Sequence, residues 1–193
     1  ITIRPHCRVT AINQPGGAVI LVGGEKIFYD QLVLALGADQ VSLPLSGDGV
    51  AKILTINDLD DYKKFRDALA GKKRVSIIGA GLIGCEFAND LATTGYHVDV
   101  IDISAQPLGR LLPSAGGIFI QQKLEASGVV FHLNATTQSV DQMQDHLRIT
   151  FANGASIETD IILSAVGLRP RTQLAAAAGI PVNRGIVVNR LLQ

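Results

Sequence analysis

The sequence predicts an α/β protein in which a Rossmann-like domain, made of a parallel sheet and an antiparallel β-meander, is inserted in part of a second domain. Three observations support this fold class. Residues 74–102 have the pattern of a strand, a glycine-rich turn, a helix and a second strand. Short segments of alternating apolar and polar residues follow between residues 136 and 159. Two similar segments, YDQLVLALGAD (29–39) and TDIILSAVGLR (159–169), flank this region, and in each an apolar run ends in glycine.

These flanking segments divide the chain into three expected parts. Residues 1–55 would form part of the outer domain, residues 56–168 the inserted Rossmann-like domain, and residues 169–193 the start of the segment that returns to the outer domain. The chain begins at Ile1 without a methionine and stops at Gln193 soon after a strand-like run. This favours a fragment of a longer protein, in which case part of the active site would be missing.

The first part of the chain is predicted to be β structure. Gly16-Gly17 and Gly23-Gly24 punctuate its apolar segments as hairpin turns would. The last segment is apolar throughout, which indicates a strand buried on both faces, and it ends at Gly37, where backbone can approach a ligand closely. The expected strands are Cys7–Ile12, Ala18–Val22, Lys26–Tyr29 and Leu32–Leu36.

Three glycines follow the next apolar strand at the spacing of a nucleotide fingerprint. Gly79 permits the tight turn out of the strand, Gly81 lets the backbone approach a pyrophosphate, and Gly84 allows close packing of helix on strand. The helix that begins here, predicted up to Leu91, offers free N–H groups and its positive dipole end to phosphates. Since strand, turn, helix, strand and a terminal acid all occur in order, the segment predicts a dinucleotide-binding site rather than an ordinary strand-to-helix turn.

The terminal acid, Asp102, indicates which dinucleotide binds. A carboxylate at the end of the second strand can accept hydrogen bonds from the ribose 2′-hydroxyl and would repel a 2′-phosphate. The four residues that follow, Ile103 to Gln106, include no arginine that would attract such a phosphate. Arg110 lies further along and is the one residue that argues for NADPH. We therefore expect NADH to be the preferred cofactor.

Further elements are predicted around this unit. A helix is expected from Asn57 or Asp58 to about Ala70, and a second one over Ser114–Ser127 with a stripe of Ile118, Ile120, Gln121 and Leu124. Asn153-Gly154 indicates a hairpin turn inside the meander. The remaining expected elements are strands at Val129–Leu133, Thr136–Val140, Leu147–Phe151, Ser156–Thr159, Asp160–Val166 and Gly185–Val188, and helix formers at Ala175–Ala178.

The composition excludes several classes of function. Seventeen basic and 17 acidic residues give a formal net charge of zero, so neither a nucleic acid nor an anionic membrane is an expected partner. No apolar run is long enough to span a bilayer. The four histidines and two cysteines, Cys7 and Cys85, have no metal-ligand spacing, and we expect no metal site. Cys85 follows Gly84 and is expected to be a small packing residue. A cytoplasmic location fits this pattern.

Several motifs together resemble a known family. VLALG (33–37), IIGAGLIGCEFA (77–88), SAVGLRPRT (164–172) and NRGIVVN (183–189) are similar to the FAD-dependent pyridine-nucleotide–disulfide oxidoreductases, over essentially the whole chain. The similarity is closest to the branch that passes electrons from NADH through FAD to rubredoxin, often for alkane hydroxylation. The resemblance therefore implies two cofactors, FAD and NAD, a flavoprotein reductase activity, and rubredoxin or a related small iron-containing electron carrier as partner.

The resemblance also implies roles for individual residues. Gly79, Gly81, Leu82, Ile83 and Gly84 would hold the NADH pyrophosphate, and Asp102 the adenine ribose. Glu86 matches the acid that helps to place the nicotinamide next to the flavin, and we treat it as the candidate catalytic residue. Val9, Ala35, Leu36 and Gly37 would contact FAD, whereas Ala165 and Gly167 would lie near the nicotinamide. The family's first FAD-binding glycine motif does not occur in these residues, so we expect this chain to hold FAD weakly and to be inactive alone.

Two alternatives stay open. The same cofactors could serve a different acceptor, namely a 2Fe–2S ferredoxin, a flavorubredoxin, or dioxygen in an NADH oxidase. The second alternative is a binding module that senses NAD without chemistry. Such a module would contain no flavin, and it would leave the two strand-end glycine motifs without a purpose.

Overall fold

The computed structural model describes residues 1–193 and divides into two compact units. Unit 1 comprises residues 1–39 and 168–193, and unit 2 comprises residues 40–167. The strands are β1 (Val9–Asn13), β2 (Ala18–Leu21), β3 (Lys26–Phe28), β4 (Ala38–Gln40), β5 (Arg74–Ile78), β6 (His97–Ile101), β7 (Val129–His132), β8 (Thr137–Gln142), β9 (Leu147–Phe151), β10 (Ser156–Thr159), β11 (Ile161–Ser164) and β12 (Leu168–Pro170). The helices are α1 (Leu59–Ala68), α2 (Leu82–Thr93), α3 (Ser114–Ala126) and α4 (Gln173–Ala177), with a short 3-10 turn at Val50–Lys52.

Unit 1 contains an antiparallel sheet in the order β1-β2-β3. Its two turns include Gly17, Gly23 and Gly24 at positive φ, as the glycine pairs predict, because these turns need backbone angles that other residues avoid. The short helix α4 buries Ala175, and β4 pairs with β12 in a two-stranded ladder. Unit 1 therefore combines short strands with one short helix.

Unit 2 is organised around a parallel sheet in the order β11-β5-β6-β7. One face of β5, β6 and β11 carries aliphatic side chains that are covered by α1 and α2. Phe65 of α1 is buried in this layer and meets Phe87 of α2 edge-on, with ring centroids 5.6 Å apart. The order of β5, the glycine turn, α2 and β6 confirms the strand–turn–helix–strand prediction for residues 74–102.

The opposite face of the parallel sheet is covered by the meander. Strands β8, β9 and β10 form an antiparallel sheet of their own, in the order β10-β9-β8, which is separate from the parallel sheet. Val140, Ile149 and Phe151 are buried against Ile78 and Ile162 of the parallel strands. Gly154 has φ +84° in the turn between β9 and β10, so the Asn153-Gly154 hairpin prediction is confirmed.

Two predicted strands are absent, and one predicted helix face is only partly buried. Residues Leu32–Leu36 form no strand and pair with none, and Val33 remains 84% exposed. Gly185–Val188 likewise contains no strand, only an isolated bridge between Val182 and Ile186. A strand requires a hydrogen-bonded neighbour, and an apolar run does not supply one. On α3, Leu124 is buried but Ile118 is half-exposed, so its predicted stripe is narrower than expected.

None of the four helices has the length and apolar composition needed to cross a lipid bilayer. No group of three or more histidine, cysteine, aspartate or glutamate side chains could hold a metal ion.

An acid at the start of β11 ties two parallel strands together. Asp160 accepts the backbone N–H groups of Lys73 and Arg74 and forms an ion pair with the Arg74 guanidinium at 3.0 Å. Burial by itself would raise the pKa of Asp160, but these hydrogen bonds from Arg74 and Lys73 outweigh it and lower the pKa to about 2. The folded state therefore binds this proton more weakly than the unfolded state, in which an aspartate titrates near pH ~4.

We expect Asp160→Asn to lower the free energy of unfolding at neutral pH by about 2 kcal/mol. The lowered pKa stabilises the fold above pH ~4, and this contribution is lost as the pH falls towards about 2, so the variant's stability should vary less with pH across that range. Urea unfolding at a series of pH values measures both effects. Asp67→Asn is the matched control, because Asp67 forms an exposed pair with Lys63, worth at most ~0.5 kcal/mol. Parallel acid profiles for Asp160→Asn and wild type would refute the role of this clamp.

Candidate dinucleotide-binding site

The three fingerprint glycines lie between β5 and α2, and each has its own structural reason. Gly79 has φ +112°, and a Cβ atom on it would lie 2.6 Å from the Ala165 carbonyl oxygen. Gly84 packs against the turn so closely that a Cβ atom would collide with the Gly79 carbonyl oxygen. Gly81, the N-cap of α2, would direct a Cβ atom into open space. Gly79 and Gly84 thus serve packing, whereas Gly81 leaves the backbone of the helix N-terminus accessible.

Asp102 follows β6 and is hydrogen-bonded to the glycine turn itself. Its Oδ2 atom accepts the Ala80 N–H at 2.6 Å, and its Oδ1 atom accepts the Ser104 N–H at 2.7 Å. The carboxylate is half-buried and fixed from both sides. Two oxygens offer about four acceptor positions, so each retains capacity for a ribose hydroxyl. The sequence predicted only the ribose contact; the structure adds that Asp102 holds the turn in place.

A cavity of about 800 Å³ opens beside this turn within unit 2. Most of the predicted NAD-binding residues line it: Gly79, Gly81, Leu82, Ile83, Asp102, Ala165 and Gly167. Gly84 lies beneath the turn and does not line the cavity. The cavity lies at the carboxyl ends of β5, β6 and β11, which is where open α/β sheets bind nucleotides.

Glu86, the candidate catalytic residue, is exposed on α2. It does not line the cavity and forms no hydrogen bond or ion pair with another residue. The structure therefore does not bring it together with the glycine turn and Asp102, and its side chain is available for a ligand or another protein segment.

The predicted FAD-contacting residues all lie in unit 1. Val9 begins β1 and pairs with Leu21 of β2. Ala35, Leu36 and Gly37 lie in the irregular segment before β4, and Gly37 has φ +69°. The Gly37 carbonyl oxygen accepts the Arg171 N–H at 3.0 Å, while the Arg171 guanidinium is paired with Asp39. Unit 1 contains no glycine-rich turn that leads into a helix, so its residues alone offer no pyrophosphate-binding turn for FAD.

Cys85 is buried at the start of α2, with its Sγ atom 3.5 Å from the Ala80 carbonyl oxygen. Burial raises the pKa of its thiol to about 11, and the nearby Asp102 and Glu86 carboxylates add to this effect. The thiol is therefore neutral at physiological pH and is not a nucleophile. The predicted packing role of Cys85 between helix and sheet is confirmed.

Sequence reasoning missed the second hydrogen-bonding partner in this site. The Asp102 carboxylate accepts the N–H two residues ahead, at Ser104, which is an Asx-turn. An aspartate directly after a predicted strand is a detectable signal for such a turn. The loop that follows is also anchored to the turn, because the Leu108 N–H donates to the Ala80 carbonyl oxygen at 2.8 Å. Nothing in the sequence indicates the hydrogen bond between Leu108 and Ala80.

Comparisons with known proteins agree over the whole chain. The family described as pyridine nucleotide-disulphide oxidoreductase matches residues 1–193. A protein of Acinetobacter baylyi named rubredoxin-NAD(+) reductase is 49% identical over 169 residues, which are 86% of this chain and 43% of that protein. A protein of Aeromonas salmonicida named nitric oxide reductase FlRd-NAD(+) reductase is 37% identical over 194 residues, covering 100% of this chain and 49% of its own length.

A solved structure, that of a covalent putidaredoxin reductase–putidaredoxin complex, has the same fold. It superposes with a TM-score of 0.88 at 30% identity, covering 97% of this chain and 46% of that one. The chain spans about half the length of the curated relatives it matches.

Proposed function

Because the chain belongs to the pyridine nucleotide-disulphide oxidoreductase family, we propose that its protein is an FAD-dependent NADH:rubredoxin reductase. The observation that supports this most directly is the cavity of unit 2, in which an open glycine turn and a fixed carboxylate lie side by side. We also propose that unit 2 corresponds to the NAD-binding domain expected over residues 56–168. Residues 1–55 and 169–193 would then belong to an FAD-binding domain.

NADH would bind with its pyrophosphate at the turn and its adenine ribose at Asp102. The free N–H groups at the start of α2, around Gly81, Leu82 and Ile83, would donate to phosphate oxygens, and the helix dipole favours negative charge there. Asp102 would accept the ribose hydroxyls with its remaining lone pairs. Its two backbone hydrogen bonds prevent it from turning away, so a 2′-phosphate would meet a fixed negative charge. This arrangement supports NADH over NADPH.

The nicotinamide end of the cofactor would lie towards Ala165 and Gly167. Both residues line the cavity after β11. Gly167 has φ +116°, a conformation that favours glycine, so no side chain projects from this position. We propose that Glu86 orients the nicotinamide, as its motif in the family implies. Its exposed, unpaired side chain supports availability for that contact.

FAD is proposed for the full-length protein rather than for these residues alone. When bound, it accepts a hydride from reduced nicotinamide and passes single electrons to an iron centre. In this chain, Val9, Ala35, Leu36 and Gly37 are the proposed contacts, but unit 1 lacks a pyrophosphate-binding turn. The residues present thus supply part of an FAD site at most.

The acceptor is proposed from the names of the relatives. The more similar of the two reported relatives is named for rubredoxin, and the solved reductase is paired with putidaredoxin, which supports a small electron carrier as partner. The relative named for FlRd, at 37% identity, supports a flavorubredoxin as the second candidate acceptor. We also propose a cytoplasmic location, which the two unpaired cysteines support.

Stopped-flow mixing of the full-length protein with NADH tests the proposal. We expect NADH to abolish the absorbance of oxidised flavin rapidly, and NADPH to do so far more slowly. Addition of rubredoxin, flavorubredoxin, 2Fe–2S ferredoxin or dioxygen to the reduced protein then identifies the acceptor by its rate of reoxidation.

Three outcomes would contradict the proposal. If the purified full-length protein lacked flavin absorbance, a module that only senses NAD would be the better description. If the flavin stayed oxidised, or NADPH reduced it as fast as NADH, the cofactor assignment would be wrong.

A further inference from the structure

We propose that Arg110 binds the pyrophosphate of the bound dinucleotide, an inference that rests on the proposed NADH site and deepens it. Among the residues that line the cavity, only Asp102 and Arg110 carry a charge. Asp102 is held by two backbone N–H groups. Arg110, in contrast, is exposed and forms no hydrogen bond or ion pair with the protein. It is therefore the one cation of the cavity wall, and its donors are free.

The loop that carries Arg110 is attached to the glycine turn. The Leu108 N–H donates to the Ala80 carbonyl oxygen at 2.8 Å, so Leu108 is fixed against the glycine turn. The N–H groups of Leu111 and Leu112 donate back to the Leu108 carbonyl oxygen at 2.8 and 2.9 Å, which closes the loop into a compact turn around Arg110.

Leu108 adopts an unusual conformation in this loop. Its φ of +55° lies in the left-handed region, which residues with large side chains avoid. Strained backbone of this kind tends to occur at ligand-binding sites, where the surrounding structure imposes it. Here the three hydrogen bonds of Leu108 hold its backbone in this conformation. Arg110 therefore lies two residues from Leu108, which is itself bonded to Ala80 of the glycine turn.

A guanidinium in this position could meet phosphate groups from two sources. The pyrophosphate is present in NADH and NADPH alike, whereas the 2′-phosphate occurs only in NADPH. The loop is anchored at Ala80, next to Gly81, where a pyrophosphate would bind, and this favours the first source. The 2′-phosphate would have to bind beside the fixed Asp102 carboxylate, which disfavours the second. The glycine turn itself offers only neutral N–H groups, so the two pyrophosphate charges would otherwise lack a cation.

Calorimetric titration of the full-length Arg110→Gln variant tests this role, with NADH, NADPH, ADP-ribose and adenosine as ligands. NADH and ADP-ribose should each bind roughly tenfold more weakly, the scale of one exposed charge-assisted hydrogen bond. Adenosine, which has no phosphate, should bind unchanged. The affinity for ADP-ribose should also depend less steeply on salt concentration than in the wild type. Arg110→Lys keeps the charge and should recover most of the loss.

Arg66→Gln is the matched control, because Arg66 is also exposed in unit 2 but lies on α1 and does not line the cavity. It should bind all four ligands as the wild type does. Equal ADP-ribose affinity in Arg110→Gln and Arg66→Gln would overturn the proposal. So would an equal loss for adenosine, which would indicate contact with the base, or a loss confined to NADPH, which would indicate the 2′-phosphate. Failure of the wild type to bind NADH would instead refute the proposed function itself.

Discussion

Replacing Gly81 with valine should weaken NADH binding by at least ~100-fold, or about 3 kcal/mol, while the protein remains folded. A Cβ atom at Gly81 would meet no atom within 4 Å, and its φ of −77° suits any L residue. The side chain would therefore occupy the space from which a pyrophosphate approaches the N–H groups of α2. Titration calorimetry with NADH measures the loss, and urea unfolding measures the stability.

The same substitution three residues later is the matched comparison. In Gly84→Val, the Cβ atom would collide with the Gly79 carbonyl oxygen and lie 3.5 Å from the Ile77 side chain. The turn or the helix must move to make room, and overpacking against backbone should cost about 3 kcal/mol or more of folding free energy. Gly84→Val is thus expected to lose stability first and binding as a consequence. If both variants were equally destabilised, the separate roles of the two glycines would be wrong.

Asp102→Ala is expected to reduce stability and NADH affinity together. The Ala80 N–H is buried and would lose its acceptor, which should cost about 1–3 kcal/mol of folding free energy. The Ser104 N–H is only half-buried, so water can replace its acceptor more readily. Loss of the ribose contact should weaken NADH binding by a further ~1–3 kcal/mol, and removal of the negative charge should reduce discrimination against NADPH.

Asp102→Asn separates these effects. The amide keeps one acceptor oxygen, so one of the two backbone hydrogen bonds can persist and the stability loss should be smaller than in Asp102→Ala. The charge is absent in both variants, so both should bind NADPH more tightly than the wild type. Urea unfolding with paired titrations of NADH and NADPH provides the measurements. An Asp102→Ala variant as stable as the wild type would disprove the clamp, and one with undiminished NADH affinity would disprove the ribose contact.

The sequence predicts those parts of the fold that depend on local chemistry. Glycine spacing located the turn and the start of α2, and Asn153-Gly154 located a hairpin, because each requires backbone conformations that few residues tolerate. Leu32–Leu36 was wrongly assigned to a strand for the opposite reason. Its apolar pattern is local, whereas a strand exists only through pairing with a neighbour that the segment itself does not specify.

The candidate site was predicted in part. The residue types and spacing of Gly79, Gly81 and Asp102 follow from what a dinucleotide requires, and the structure places them around one cavity. The hydrogen bond from Ala80 to Asp102 spans 22 residues, and that from Leu108 to Ala80 connects a loop to a distant turn. Such contacts arise from the packing of elements against each other. The positive φ of Leu108 is a consequence of the same packing. Leucine has no preference for this conformation, so the sequence does not predict it.

The two ends of unit 2 meet at one point: the Val41 N–H donates to the Gly167 carbonyl oxygen at 3.1 Å. The chain therefore enters and leaves unit 2 at positions only one hydrogen bond apart. Inserting more than a hundred residues at such a point carries a small cost in chain entropy. Unit 2 can accordingly be inserted into the surrounding chain, or removed from it, with little displacement of the residues on either side.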